Sequence, residues 1–389
     1  MNIFPTRFNK NLIFAAVAGI IVTPLFSLFL LQVFAAVLFL LFIFDTYGSK
    51  LKSFDVFAYL IAVFALLRII SILLSEYPSV SLMAVPKEIL FYASFFALMY
   101  YLKVLETDKL LKLLDIAIWA GCMVALIGMV FFVTGSVNRA QSFGSGYSTF
   151  STYLMVILAF RLAREPGKEL KEVLIWSGQT GLILSGIILS MGRTNIAIAV
   201  LICIAMAFIL RMNYKPVIIT TLITVILVLV SLQFNSNELD SRVDNPLALS
   251  DRDIIYKGVE MLYKDHPFFG HGPRTFHNIF PLEEQFVDTG IGSWHNEYIQ
   301  TYLESGVFSL IVLLLLFFVF FLRTKTLIFN KVIPKDKRAI FYSSAVGIAA
   351  LMLAGLTGAF LYSPVLSIIF GFLLSLFSAV DYMSRNYDN

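Results

Sequence analysis

Residues 293–322 read SWHNEYIQTYLESGVFSLIVLLLLFFVFFL. A polar lead-in holding Trp294, His295 and Asn296 passes directly into an apolar run. That run is long enough to cross a bilayer, which takes about 18 or more such residues. The pattern recurs along the whole chain. Of 389 residues, 59% are hydrophobic and only 14% charged, which excludes an ordinary soluble domain. In lipid each backbone polar group must be satisfied within its own segment, so helices are the expected spanning form. Apolar stretches fall at 11–23, 27–44, 54–74, 86–102, 112–134, 148–163, 173–191, 194–210, 216–234, 297–322, 339–360 and 363–380. They predict an all-α polytopic membrane protein of about twelve transmembrane helices. The first two come from one run, 11–44, interrupted by Thr23, Pro24 and Ser27. Proline disrupts a helix interior, so a hairpin is expected there. No small-residue cleavage site follows the first segment and more spans follow at once, which argues against a cleaved signal peptide.

The chain divides into a membrane part of about nine spans over 1–234, a large loop over 235–296, and a membrane part of about three spans over 297–389. Lysine and arginine mark the cytoplasmic side. Arg7, Lys50, Lys103, Arg161, Arg211 and the cluster from Arg323 to Arg338 all fall in loops of one side; the short loops of the other carry only Lys87, Arg139 and Arg193. Both termini are therefore expected in the cytoplasm and the long loop outside. The net charge of +4 is accounted for by the cytoplasmic loops and gives no reason to expect nucleic acid. Cys122 and Cys203 lie in expected spans and imply neither a disulfide nor a metal cluster.

All four histidines, His266, His271, His277 and His295, sit in the one long hydrophilic stretch. A helix is expected at 251–264, capped by Ser250 with Asp253 completing a capping box. His266-Pro267 ends it, Gly270-His271-Gly272-Pro273 is turn-rich, and a further helix is expected to start near Ser293. Arg252 opens the loop helix, where the macrodipole disfavours a cation. It reads either as a surface arginine paired with Asp251 or Asp253, or as part of an anion site, because free N–H groups and a guanidinium fork both suit phosphate. Arg193, in SMGRTN (190–195), stands between two apolar segments, where charge is expensive. It reads as an interfacial snorkelling residue or a functional one. Arg139 is similar but less confined. Arg68, inside the third span, reads equally as paired, snorkelling or cavity-lining. His295 can take a proton at neutral pH, or serve simply as a capping or packing residue. His266, His271 and His277 lack metal-site spacing. Two arginines and one histidine on the outer face, each beside a membrane helix, suit a lipid-anchored phosphate or diphosphate whose reaction needs a base.

These stretches resemble the O-antigen ligase and polymerase family of bacterial membrane glycosyltransferases. HNEYIQTYLESG (295–306) is similar to the family's histidine motif. RDIIYKGVEMLYKDHPFFGHG (252–272) is similar to its loop arginine, amphipathic helix and glycine turn. SMGRTN resembles its arginine at the start of a span, and Asn138–Tyr153 its earlier outer loop. Two departures bear on ligase versus polymerase: Val307-Phe308-Ser309 follow Gly306 where further glycines are common, and Ala197 stands where ligases tend to have leucine. The resemblance implies transfer of a glycan en bloc from an undecaprenyl-diphosphate carrier to a sugar hydroxyl, on lipid A core or on another glycan repeat. It implies the periplasmic face of the inner membrane, with no metal and no cofactor. His295 becomes the base, Arg193 and Arg252 the diphosphate clamp, and Asn296 an orienting group. Arg139, Arg274 and His271 become further substrate contacts. The rival classes are a polytopic transporter or flippase and, within the family, a protein O-oligosaccharyltransferase. A transporter places its polar residues near the midplane, whereas here they gather at the outer surface.

Overall fold

The computed structural model describes residues 6–143, 145–235, 251–286, 291–329 and 333–385, and these form helices joined by short turns. The N-terminal membrane part contains α1 (Lys10–Val22), α2 (Leu28–Phe44), α3 (Tyr47–Ser53), α4 (Val56–Leu73) and α5 (Pro78–Val104). It continues with α6 (Thr107–Val133), α7 (Tyr147–Ala163), α8 (Leu170–Leu189), α9 (Arg193–Leu210) and α10 (Tyr214–Leu232). The loop contributes α11 (Arg252–Leu262) and α12 (Phe276–Ile279). The chain closes with α13 (Glu297–Phe329), α14 (Arg338–Ala354) and α15 (Pro364–Arg385).

The expected hairpin is present: α1 ends at Val22, Thr23 Oγ1 donates to the Gly19 carbonyl, and α2 restarts behind the Ser27 cap. Other boundaries move. The fourth expected span begins eight residues early, because Pro78 occupies the first helical turn, where its missing N–H costs nothing, while Pro86 is carried inside. The eleventh ends at Ala354 rather than 360, at Gly355. Among the described residues nine helices are long and apolar enough to span a membrane, or ten if α2 and α3, bent by 112°, count as one; α1 and α7 are apolar but shorter. That is fewer than the twelve expected by composition. Yet α1 and α7 still run from one end of the bundle to the other. Lys10 pairs with Glu106 at the start of α1, and the Leu25 carbonyl accepts from Ser142 beyond its end. Near the start of α7, Ser151 is bonded to Asn195 at the start of α9; at its end, the Arg164 carbonyl accepts from Trp176 near the start of α8.

The basic loops gather at one end. There Thr6 and Tyr101 bond to Asp45, Lys103 reaches the Ser53 carbonyl and Asp55, and Arg323 and Arg385 meet Asp381. Ser378 also bonds Asp55, so the start of α1 and the last turns of α15 share this end. The core is α15, whose apolar residues from Val365 to Val380 are buried, with α5 and α14 packed on it. Every span from α4 onward must deliver its opposite end to the far side, and that side carries the loop.

Candidate functional site

The loop is held by its own small core. Ile255 of α11, Phe276, Phe280, Ile291, Trp294 and Leu303 form one buried cluster. Phe280 packs beneath Gly258, leaving no room for a Cβ, and stacks with Phe276 and Phe286. Because α11 and Trp294 belong to the same cluster, Arg252 and His295 are carried by one rigid unit. The loop helix begins at Arg252, after Asp251 at φ 58°, and stops at Leu262; the expected cap, Ser250, lies outside the described residues. The helix expected near Ser293 starts at Glu297 instead, because Asn296 caps it: its Oδ1 accepts from the Tyr298 and Ile299 amides at 3.0 and 3.1 Å.

The Gly355–Thr357 turn, at the end of α14, gathers the candidates. Asn296 Nδ2 donates to the Leu356 carbonyl at 3.1 Å, and the Glu297 amide to the Gly355 carbonyl at 2.7 Å. Arg252 Nη2 donates to the Thr357 carbonyl at 3.0 Å. His295, next to Asn296, holds a left-handed φ of 47°, a conformation uncommon for a side-chain-bearing residue and typical of strained functional positions. Arg274, also left-handed at φ 63°, stacks over Tyr362 at 4.0 Å and donates to its carbonyl at 3.0 Å.

Arg193 opens α9 after Met191 at φ 54° and is exposed. Its turn is braced: Arg139 Nε donates to the Ser190 carbonyl at 3.0 Å while stacked on Tyr147, and the Ala140 amide donates to the Leu189 carbonyl at 2.9 Å. Asn195 Nδ2 ties the same turn to Ser151 Oγ at 2.6 Å. Below Arg193 an apolar groove of about 260 Å³ runs between α9, α13 and α14, from Ile198 and Leu353 down to Ile209 and Phe341. At 1.5 Å per residue the α9 wall is roughly 17 Å long. Leu201, Phe321 and Ile328 are half exposed along it, so it opens sideways. Its upper rim is formed by the helix that Arg193 starts and the helix whose final turn receives Arg252 and Asn296.

His271 stands apart from this rim. It is 4% exposed and faces Glu76, and burial, then the neighbouring His266, hold its pKa below the usual histidine value.

Sequence reasoning missed a buried polar network. Arg68 is resolved as both paired and cavity-lining: it bonds Glu88, reaches Glu304 at 3.1 Å and Ser305 Oγ at 2.9 Å. Arg68, Glu88 and Glu304, with Lys87, Arg274, Glu297, Gln300, Thr301 and Tyr362, line a cavity of about 20 Å³. That is room for about one water molecule, too small for a sugar. The signal was available: Glu297, Gln300, Thr301 and Glu304 recur at the spacing of one helix face in the first turns of the tenth span.

Residues 180–314 match the family model described as O-Antigen ligase. The matched stretch includes Arg193, Arg252, His271, Arg274, His295 and Asn296, and excludes Arg139. No curated protein matches the chain. The protein is a multi-pass, all-helical membrane protein whose residues 180–314 match the O-antigen ligase domain.

Proposed function

We propose that the protein is an O-antigen ligase-like glycosyltransferase of the inner membrane, moving a glycan en bloc from undecaprenyl diphosphate to a sugar hydroxyl of lipid A core on the periplasmic face. One observation carries this reading: Arg252 and Asn296 meet on the turn that follows α14, which lines one wall of the apolar groove, and Arg193 starts α9, which lines another. The groove receives part of the polyprenyl tail, which leaves the diphosphate at the rim beside the two guanidiniums. Arginine forks match phosphate oxygens in pairs.

In this reaction a nitrogen of His295 takes the acceptor hydroxyl proton as the oxygen attacks the anomeric carbon. The new glycosidic bond forms as the bond between that carbon and the phosphate oxygen breaks. The departing carrier diphosphate keeps the electron pair, and Arg193 and Arg252 stabilise its growing charge. Fixed charges aimed at a developing anion act strongly where water is scarce. Asn296 orients His295 by holding the start of α13. Arg139 and Arg274 are the flanking cations, one bracing the Arg193 turn and one beside Tyr362. The arginine pair fills the role that a metal ion plays in other diphosphate-leaving reactions.

The same residues serve a polymerase, whose acceptor is another carrier-linked glycan; deletion in cells separates the two. A ligase leaves finished polymer on the carrier and unsubstituted lipid A core, whereas a polymerase leaves single repeat units. Wild-type surface glycan in the deletion strain contradicts both.

A further inference from the structure

The proposed chemistry leaves one side-chain cluster unused. Glu76, in the turn between α4 and α5, lies against His266 and His271 of the loop. His266 Nε2 is 3.1 Å from one carboxylate oxygen, and His271 Nδ1 is 3.8 Å from the other. The imidazole rings stand 4.5 Å apart, centroid to centroid. One potential ligand atom from each of the three residues lies within 4.8 Å of the others. His271 is 96% buried, as its 4% exposure states, and neither ring nitrogen has a hydrogen-bond partner. A buried polar group without a partner is costly and calls for an explanation.

We propose that Glu76, His266 and His271 form a binding site for a divalent transition-metal ion of the zinc class. Two imidazoles and one carboxylate are the donor set such ions prefer, whereas magnesium and calcium favour oxygen ligands. Ligands at the usual 2.0–2.2 Å from zinc stand roughly 3.3 Å apart, so small side-chain movements close the present cluster. Three protein ligands leave a fourth position for water. No spacing announced the site, because Glu76 is nearly two hundred residues from the histidines, about the separation of Ser75 and His271 (196), which the fold also joins.

The ion acts as a brace. Ser75 Oγ already donates to the His271 carbonyl at 2.7 Å, and the His271 amide to the Leu303 carbonyl at 2.8 Å. A metal bond to Glu76 locks the α4–α5 turn onto the segment that leads to Arg274. Binding requires neutral imidazoles, so it weakens as pH falls below the histidine range.

The test uses purified full-length protein in detergent, titrated with zinc against a chromogenic chelator. Wild type binds one zinc per chain tightly. Glu76→Gln, at a half-exposed position, and His271→Gln each weaken binding at least tenfold. His277→Gln, away from the cluster, does not. Zinc raises the Tm of wild type and leaves that of His271→Gln unchanged, and magnesium does neither. Equal zinc affinity in wild type and a His266→Gln/His271→Gln double variant overturns the proposal, as does a wild-type Tm that zinc does not move.

Discussion

His295 and Asn296 divide their work. Asn296 caps α13 and binds the Leu356 carbonyl, and His295 projects from the strained residue just before that cap. Asn296→Ala removes the cap, at a cost of about 1 kcal/mol, and is expected to lower transfer as well, since His295 loses its anchor. Asn296→Asp retains the cap acceptor and recovers most of the stability. Thermal unfolding together with transfer rates checks both; full activity in Asn296→Ala contradicts the positioning role. Arg68 makes a second residue-scale prediction. It is buried between Glu88 and Glu304, and removing one partner of a buried ion pair typically costs about 3–5 kcal/mol. Arg68→Met should therefore lower the unfolding temperature sharply, and an unchanged Tm contradicts the network's structural weight. The lowered pKa of His271 also has a sign. A histidine whose folded pKa lies below its unfolded value near 6.5 contributes stability that is present above that value. The contribution is lost as pH falls through the lowered pKa. His271→Gln should flatten the stability profile on the acid side of pH 6.5, measured without added metal. The arginine and histidine candidates could be read from the sequence because charge is rare in so apolar a chain. The partners of Arg68 and His271 could not, since Glu304 and Glu76 come from distant elements that only packing brings near.

At the scale of elements, the loop is stitched to α13 at its kink. Gly306 adopts φ 76° inside α13, and the Val307 amide donates to the Pro267 carbonyl at 2.8 Å. A Cβ at Gly306 would lie 2.0 Å from the Phe268 carbonyl oxygen, and one at Gly270 2.4 Å from the Glu304–Ser305 backbone. Left-handed backbone alone costs a residue with a Cβ about 1–2 kcal/mol, and the collision adds to that. Gly306→Ala should destabilise the protein by about 2 kcal/mol or more and release the loop segment. Faster proteolysis between α11 and α13, with the membrane helices intact, is the expected readout; a wild-type digestion pattern contradicts it. The sequence reading took 297–322 as one uninterrupted span. Gly306 closes the HNEYIQTYLESG stretch, but nothing local separates a glycine that packs helices from one that bends a helix around another segment. The hairpin at Pro24 was legible for the opposite reason, because proline breaks a helix by local sterics alone.

For the whole molecule, alternation of helix ends decides the topology. Among the described residues nine long helices alone would leave the termini on opposite sides; counting the bent α2–α3 pair as a tenth passage and adding α1 and α7 makes twelve, and Thr6 accordingly lies at the same end as Asp381. Fusions of a cytoplasm-dependent fluorescent reporter to either terminus should therefore both be bright, and reporters in the loop around Glu283 dark. One bright and one dark terminus contradicts the even count of passages. Fold class was legible because it rests on composition, and the clustering of the basic loops at one end because it rests on lysine and arginine counts. The groove was not, because its walls, α9, α13 and α14, are no different in composition from the other spans. The central claim concerns that groove and its rim: two arginines hold a carrier diphosphate beside a histidine base. The most direct measurement is glycan transfer and donor binding with a purified undecaprenyl-diphosphate-linked donor. His295→Ala is expected to bind donor normally and to transfer about 10²–10⁴-fold more slowly, and the Arg193→Ala/Arg252→Ala double variant to lose donor affinity; full transfer in the first or wild-type affinity in the second contradicts the account.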